Sequence, residues 1–215
     1  SVSLEGASSQ YFTLFPKQVS LAAYRMVFKN PTRILDAYKV TAFYSVVGTV
    51  GSLAVMAMFA YSLSRPNFKM KGVLTFILFF TTLFSGLVPS YILNTKYLGL
   101  GDSIWVYILP GMISAWNVIV IRTNFKGLPN ELFEAAHLDG ASELRVCFTI
   151  VIPLSTPVLA SVGFLDFIGR WNNWYTSQIY IRTPSLYSLQ YVLKLILDNI
   201  EMLEQMVKEG GLDES

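Results

Sequence analysis

Between Val40 and Ser64 the chain runs for 25 residues without a charged side chain, and no other feature limits its fold as much. A helix needs about 20 apolar residues to cross the hydrocarbon core of a bilayer. Three further uncharged stretches follow, 24 residues from Gly72 to Thr95, 19 from Ser103 to Ile121 and 20 from Val146 to Leu165. The expected fold is an all-α integral membrane protein, a bundle of about four transmembrane helices. Apolar residues make up 53% of the chain and charged ones 14%, with a mean hydropathy of +0.48, a balance that suits lipid better than water.

The connections set the orientation. Arg65 to Lys71 carries three positive charges and no negative one, which places it on the cytoplasmic side by the positive-inside rule. Lys96 to Asp102 holds one charge of each sign and suits an outer loop. The third span then returns the chain to Arg122 and Lys126, so residues 122–150 face the cytoplasm. On this reading 38–170 form the membrane domain and 1–37 and 171–215 are extracytoplasmic. The first of these carries Lys17, Arg25, Lys29 and Arg33, so charge bias favours the orientation only in the short loops. Pro16 and Pro31 bracket a short expected helix from Ser20 to Phe28.

Several function classes fall away. A formal charge of +2 with no dense Lys/Arg run argues against nucleic acid. His137 is the only histidine and Cys147 the only cysteine, which disfavours a multi-histidine metal centre, a Ser/His/Asp triad and an internal disulfide. The spans lack the clustered acids and histidines of a membrane enzyme. No phosphate loop of the Gly-x4-Gly-Lys-Ser/Thr type is present, so no ATP site is expected. No cofactor or metal is expected.

The segment from Pro129 to Pro153 is a charged amphipathic insertion between apolar stretches. Pro129 suits a helix start, Glu131 and Glu134 lie near its positive end, and Gly140 is suited to stop it in a left-handed conformation. Leu132, Ala135 and Ala136 share a face with little bulk, open to close approach by another protein. Ser142 can cap a second helix leading to Ile150, Ile152 and Pro153. Glu134, Ala135, Ala136, Gly140, Ile150, Ile152 and Pro153, at these spacings, resemble the EAA loop of binding-protein-dependent ABC transporter permeases. The family usually has Leu where this chain has Ile152. The resemblance implies that Glu134, Ala135, Ala136, Gly140, Ile150 and Pro153 couple the chain to a separate ATPase subunit. It also implies a second permease subunit, identical or different, and an extracytoplasmic solute-binding protein. Members usually have six spans, so a chain with four reads as a fragment that does not transport alone.

Trp171, Asn172 and Trp174 form an aromatic and amide cluster at the outer end of the fourth span. Such residues suit an interfacial belt and equally suit a sugar, whose apolar face stacks on indole while amides bind its hydroxyls. Trp171-Asn172 also resembles the segment after the EAA loop in the carbohydrate-uptake branch, although that branch often has an acid where Asn173 stands. Because the spans hold no charged partner for a charged solute, a neutral sugar or oligosaccharide is favoured over amino acids or peptides. A structural membrane protein is the remaining alternative.

Four smaller features complete the reading. Gly48 and Ser52 offer a neighbouring helix close approach. Asp166 and Arg170, four apart, can pair. Pro110-Gly111 interrupts the third span. Apolar residues from Leu189 to Val207 recur at three and four, which makes Tyr187 to Lys208 an amphipathic surface helix.

Overall fold

The structure is a computed structural model that describes residues 31–66, 68–83 and 86–208. Among these there is helix and no strand. The expected helix from Ser20 to Phe28 lies outside them.

The first helix, α1 (Pro31–Ser64), is 34 residues long, which spans about 51 Å at 1.5 Å per residue. It starts nine residues before the uncharged stretch, so Asp36 and Lys39 fall on its first turns, where they pair at 3.6 Å. Of the described helices, it alone is unbroken, long and apolar enough to cross a membrane. Its polar residues Thr41, Ser45, Thr49 and Ser52 are buried, whereas Phe43, Val46, Val47 and Val50 are exposed. The helix therefore turns its small polar stripe inward and its large apolar one outward, as lipid immersion favours.

The second stretch consists of α2 (Lys71–Leu83), α3 (Leu87–Ile92) and a π-helical turn at Leu93–Tyr97. Its halves Lys71–Thr82 and Leu87–Tyr97 meet at 106°. The third stretch is α4 (Trp105–Ile108) and α5 (Ala115–Lys126), separated by non-helical backbone around Pro110 and Gly111. The sequence predicts an interruption within one spanning helix at Pro110-Gly111. Instead α5 starts afresh, with the Ser114 side chain accepting from the Asn117 N–H at 3.4 Å.

Two short helices follow on the cytoplasmic side of the expected topology, α6 (Asn130–Leu138) and α7 (Glu143–Val146). Beyond α7 the backbone widens into a π-turn at Cys147–Val151 and passes through α8 (Ile152–Leu154). Pro153 has no N–H for the ordinary helical ladder, and such wide turns are one way a helix absorbs that loss. The chain then bends by 80° into α9 (Thr156–Trp171). The fourth expected span is thus two segments at a steep angle, of which α9 is the longer. The bent pairs raise the number of candidate spans to at most three, and the interrupted α4–α5 stretch is not among them. After α9 come α10 (Tyr175–Tyr180), a 3-10 turn at Pro184–Leu186 and α11 (Leu189–Lys208).

The bundle is built around α1, which packs chiefly on α5 and α9. The main core sits toward the C-terminal half of α1, where Met56, Ala60, Tyr61 and Leu63 meet Val118, Ile121 and Phe125 of α5 and Val146, Cys147 and Val151 beyond the loop. Phe133 and Ala136 of α6 belong to the same core. A second cluster joins Tyr44 to Val106, Tyr107, Ile108 and Ile181 near the other end of α1. The amphipathic helix predicted from Tyr187 corresponds to α11, which also packs on α1 and buries Val192.

Candidate functional site

The loop between α5 and α9 is organised by its ends. Pro129 occupies the N-cap of α6 with Glu131 in the first turn. At the other end Gly140 has φ +74°, its N–H donates to the His137 carbonyl at 3.0 Å and the Ala141 N–H donates to the Ala136 carbonyl at 2.9 Å. This pairing is a Schellman stop, which satisfies carbonyls the helix end would otherwise leave bare. The Ser142 hydroxyl accepts from the Arg145 N–H at 3.4 Å and caps α7.

The faces of α6 divide unequally. Leu132, Glu134, Ala135, Leu138 and Gly140 are exposed, while Phe133 and Ala136 are buried. Leu138, at 89% exposure, is an apolar residue held in the open. The smooth outer face therefore comprises Ala135 and Gly140 with Leu138, and Ala136 serves as the inward contact that seats the helix on the core. Ile150 is half-buried against that core, and Pro153 lies in the bend.

The inner side of α6 is tied to the end of α1. The Arg65 guanidinium lies 3.6 Å from the Phe133 ring centroid and 4.7 Å from that of Tyr61. The Tyr61 hydroxyl donates to Glu143 Oε2, and Glu143 Oε1 stands 3.4 Å from His137 Nε2. On the same side the Lys126 ammonium is held below its usual pKa, first by Arg122 and then by Lys71.

A second region lies near the other end of the bundle. A cavity of about 780 Å³ opens between α3, the broken third stretch, α9 and α10, with Asn94, Tyr107, Gly111, Asn117, Asp166 and Tyr180 among its lining. Arg170 forms part of its wall and is 8% exposed. Its Nε donates to Asp166 Oδ2 at 2.8 Å, Nη1 to the Tyr107 carbonyl at 3.0 Å, and Nη2 to Ser52 Oγ at 2.6 Å and the Gly111 carbonyl at 2.8 Å. A helix broken at a proline leaves carbonyls without partners, and two of those flanking the break are met by this guanidinium. Gly48 makes room for it, since a Cβ there would stand 2.7 Å from Nη1.

Trp171, Asn172 and Trp174 do not line this cavity. Trp171 packs edge-on against Tyr38 at 5.7 Å and beside Phe167 at 5.8 Å. Asn172 Oδ1 accepts from Gln190 Nε2 at 3.3 Å. Trp174 carries the Lys194 ammonium 5.2 Å from its ring centroid and touches Tyr175, which does line the cavity. Asn173, also in the lining, accepts from the Thr176 N–H at 3.0 Å beside the first turn of α10. From this segment the cavity takes Asn173, Tyr175 and Thr176 rather than the three residues the sequence singles out, because α9 ends within the cluster and the chain changes direction.

Residues 40–201 match the family described as binding-protein-dependent transport system inner membrane component. The chain belongs to this family. It is 39% identical over 186 residues to the protein LplC of Bacillus subtilis, covering 86% of this chain and 62% of that one. It is 35% identical over 195 residues to the polygalacturonan/rhamnogalacturonan transport system permease protein YtcP of the same organism, covering 90% of this chain and 68% of that one. Among solved structures, a chain from a bacterial ABC transporter involved in the import of the acidic polysaccharide alginate superposes with a TM-score of 0.81 at 31% identity, covering 95% of this chain and 74% of that one. The chain therefore spans about two thirds of the length of these transport-family relatives. Membership makes it a membrane protein of the transport class.

From the sequence Arg65 counts only as one of three positive loop charges, and nothing marks Tyr61, Phe133 and Glu143. Tyr61 and Glu143 are 82 positions apart, and no local pattern links them. The one available signal was Arg65 directly after an uncharged span and an aromatic residue one turn earlier.

Proposed function

We propose that this chain is the permease subunit of an ABC importer that carries an oligosaccharide across a prokaryotic plasma membrane. A solute-binding protein delivers the sugar, a second permease subunit completes the pathway, and separate ATPase subunits supply the energy. Segments 1–37 and 171–215 lie outside, and the loop 122–150 lies inside. The observation that carries this reading is the division of α6. Its outer face offers Glu134, Ala135, Leu138 and Gly140 to a partner, while Phe133 and Ala136 join the core built on α1. A helix anchored on one side and bare on the other can pass a push from a partner into the bundle.

The cavity favours a neutral sugar. Its charged lining residues, Asp166 and Arg170, are paired with each other at 2.8 Å, and its remaining polar groups are amides and hydroxyls. Asn94, Asn117 and Tyr175 are the proposed sugar contacts, with Trp174 reaching them through Tyr175. The names of YtcP and the alginate importer favour a second reading, an acidic oligosaccharide. That reading requires cationic groups from the other permease subunit.

The test is purification of the full-length protein from its native membranes in mild detergent. Retention of an ATPase subunit by the wild type, and its loss in a Gly140→Asp variant, is the expected result. A preparation with no ATPase and no hydrolysis would overturn the docking role of α6. Uptake of neutral against uronate-containing oligosaccharides by the reconstituted assembly then separates the two sugar readings.

A further inference from the structure

The exposed docking helix grips α1 at two points one helical turn apart. Phe133 and His137 lie four apart on α6, and Tyr61 in the last turn of α1 lies four before Arg65, the residue just past its end. Arg65 covers the Phe133 ring at 3.6 Å, while Tyr61 and His137 meet on the Glu143 carboxylate of α7. A single attachment would act as a pivot about which α6 could turn without moving its neighbour. Two attachments fix both position and angle.

We infer that Tyr61, Arg65, Phe133, His137 and Glu143 form a linkage that converts movement of α6 into movement of α1, and that Tyr61 and Glu143 are positioning residues for coupling. The inference rests on the docking role proposed for α6. Farther along α1, Ser52 bonds Arg170 and Gly48 packs on it. Arg170 in turn holds the carbonyls of the broken third stretch at the cavity wall. The route from docking surface to cavity is thus contiguous, running through α6, the inner end of α1, the Ser52–Arg170 bond and the backbone at Gly111. The apolar core alone would hold α6 in place, but apolar contacts slide more readily than a buried aromatic under a guanidinium or a phenol on a carboxylate.

The experiment uses the full-length complex with its ATPase subunits in lipid nanodiscs. Buried Cys147 is replaced by Ala, and spin labels are placed at Lys39→Cys and Lys96→Cys. Pulsed distance measurements are made without nucleotide and after trapping with ATP and vanadate. Tyr61→Phe and Glu143→Ala, singly and together, leave the packing of α6 on the core intact. Trapped nucleotide is expected to match wild type, whereas the distance change on trapping falls to a fifth or less, about the scale by which residues along a coupling route act. The double variant should be no worse than Glu143→Ala alone, because Tyr61→Phe removes only a bond that Glu143→Ala has already removed.

A distance change equal to wild type in both single variants would overturn the linkage. Loss of nucleotide trapping in the variants would overturn it too, because these residues would then only shape the docking surface. If the wild-type complex itself traps no nucleotide, the docking reading falls, and the linkage with it.

Discussion

At Gly140 no atom lies within 4 Å of the position a Cβ would take, yet φ is +74°. Within the chain the demand for glycine is therefore one of backbone alone, about 1–2 kcal/mol for an ordinary L-residue. Asparagine tolerates this conformation better than most residues. Gly140→Asn should leave the thermal midpoint of the isolated protein within a few degrees of wild type. If a partner surface packs on that bare glycine, the same variant should still lose ATPase retention in a pull-down. Gly48 poses the opposite problem. Its missing Cβ is occupied by a guanidinium pinned by four hydrogen bonds, so Gly48→Ala should destabilise by about 1–3 kcal/mol through overpacking. Gly163→Ala is the control, because the obstructing atom there is a Leu53 methyl at 2.6 Å, which can rotate away. Thermal unfolding in detergent should rank the Gly48 variant below the Gly163 one. Removing the guanidinium itself with Arg170→Ala leaves the half-buried Asp166 unpaired at the cavity wall, a loss below the ~3–5 kcal/mol that a fully buried charge would cost. Asp166→Asn should cost less, since Arg170 keeps three neutral acceptors.

Between elements, the loop entering the third stretch is tied to the chain after α10 by Asp102. Its Oδ1 accepts from the N–H groups of Arg182 and Thr183 at 2.9 Å each, and its Oδ2 from the Thr183 hydroxyl at 2.6 Å. These bonds favour the ionised form, and the carboxyl is held below its ordinary pKa, first by the Thr183 side chain and then by the backbone donors. A carboxylate with a depressed folded-state pKa gives stability that is present above the unfolded value of about 3.9 and is lost as pH falls through the folded one. Protection of the Arg182 and Thr183 amides against hydrogen exchange should hold at neutral pH and decline below about pH 4. In Asp102→Asn that decline should be absent. What the sequence could show divides along the same line between local and distant causes. The α6 stop at Gly140 and the Ser142 cap were legible because each depends on neighbours within a turn. The ties of Asp102 to Thr183, Tyr61 to Glu143 and Arg170 to Ser52 were not, since each joins residues 80 or more apart. The sequence pairs Gly48 with Ser52 and Asp166 with Arg170, and sets Pro110-Gly111 apart from both. Only the fold shows that they meet around one guanidinium.

For the whole molecule the open quantity is how often the chain crosses the bilayer, and the third stretch decides it. Helix α5 has 12 residues, about 18 Å of rise against a hydrocarbon core of about 30 Å. Alone it is too short, and a crossing must include α4 and the non-helical backbone between them. Irregular backbone at membrane depth is tolerated where it lines a cavity or has its polar groups satisfied by the protein. Both conditions hold, since Pro110, Gly111 and Ser114 line the cavity and Arg170 receives the carbonyls of Tyr107 and Gly111. A crossing puts α6 on the same side as Arg65 to Lys71. A re-entrant path would put it on the opposite side, away from any ATPase. The tie between Arg65 and Phe133 keeps α6 on the side of Arg65, because one guanidinium cannot reach across a bilayer, and so requires the second and third stretches either both to cross or both to turn back. Single cysteines at Lys69, Lys96 and Leu138 in a Cys147→Ala background read this out with a membrane-impermeant maleimide. Lys96→Cys should label in right-side-out vesicles, and Lys69→Cys and Leu138→Cys only in inverted ones. Labelling of Leu138→Cys together with Lys96→Cys would remove α6 from the cytoplasm and the coupling role with it.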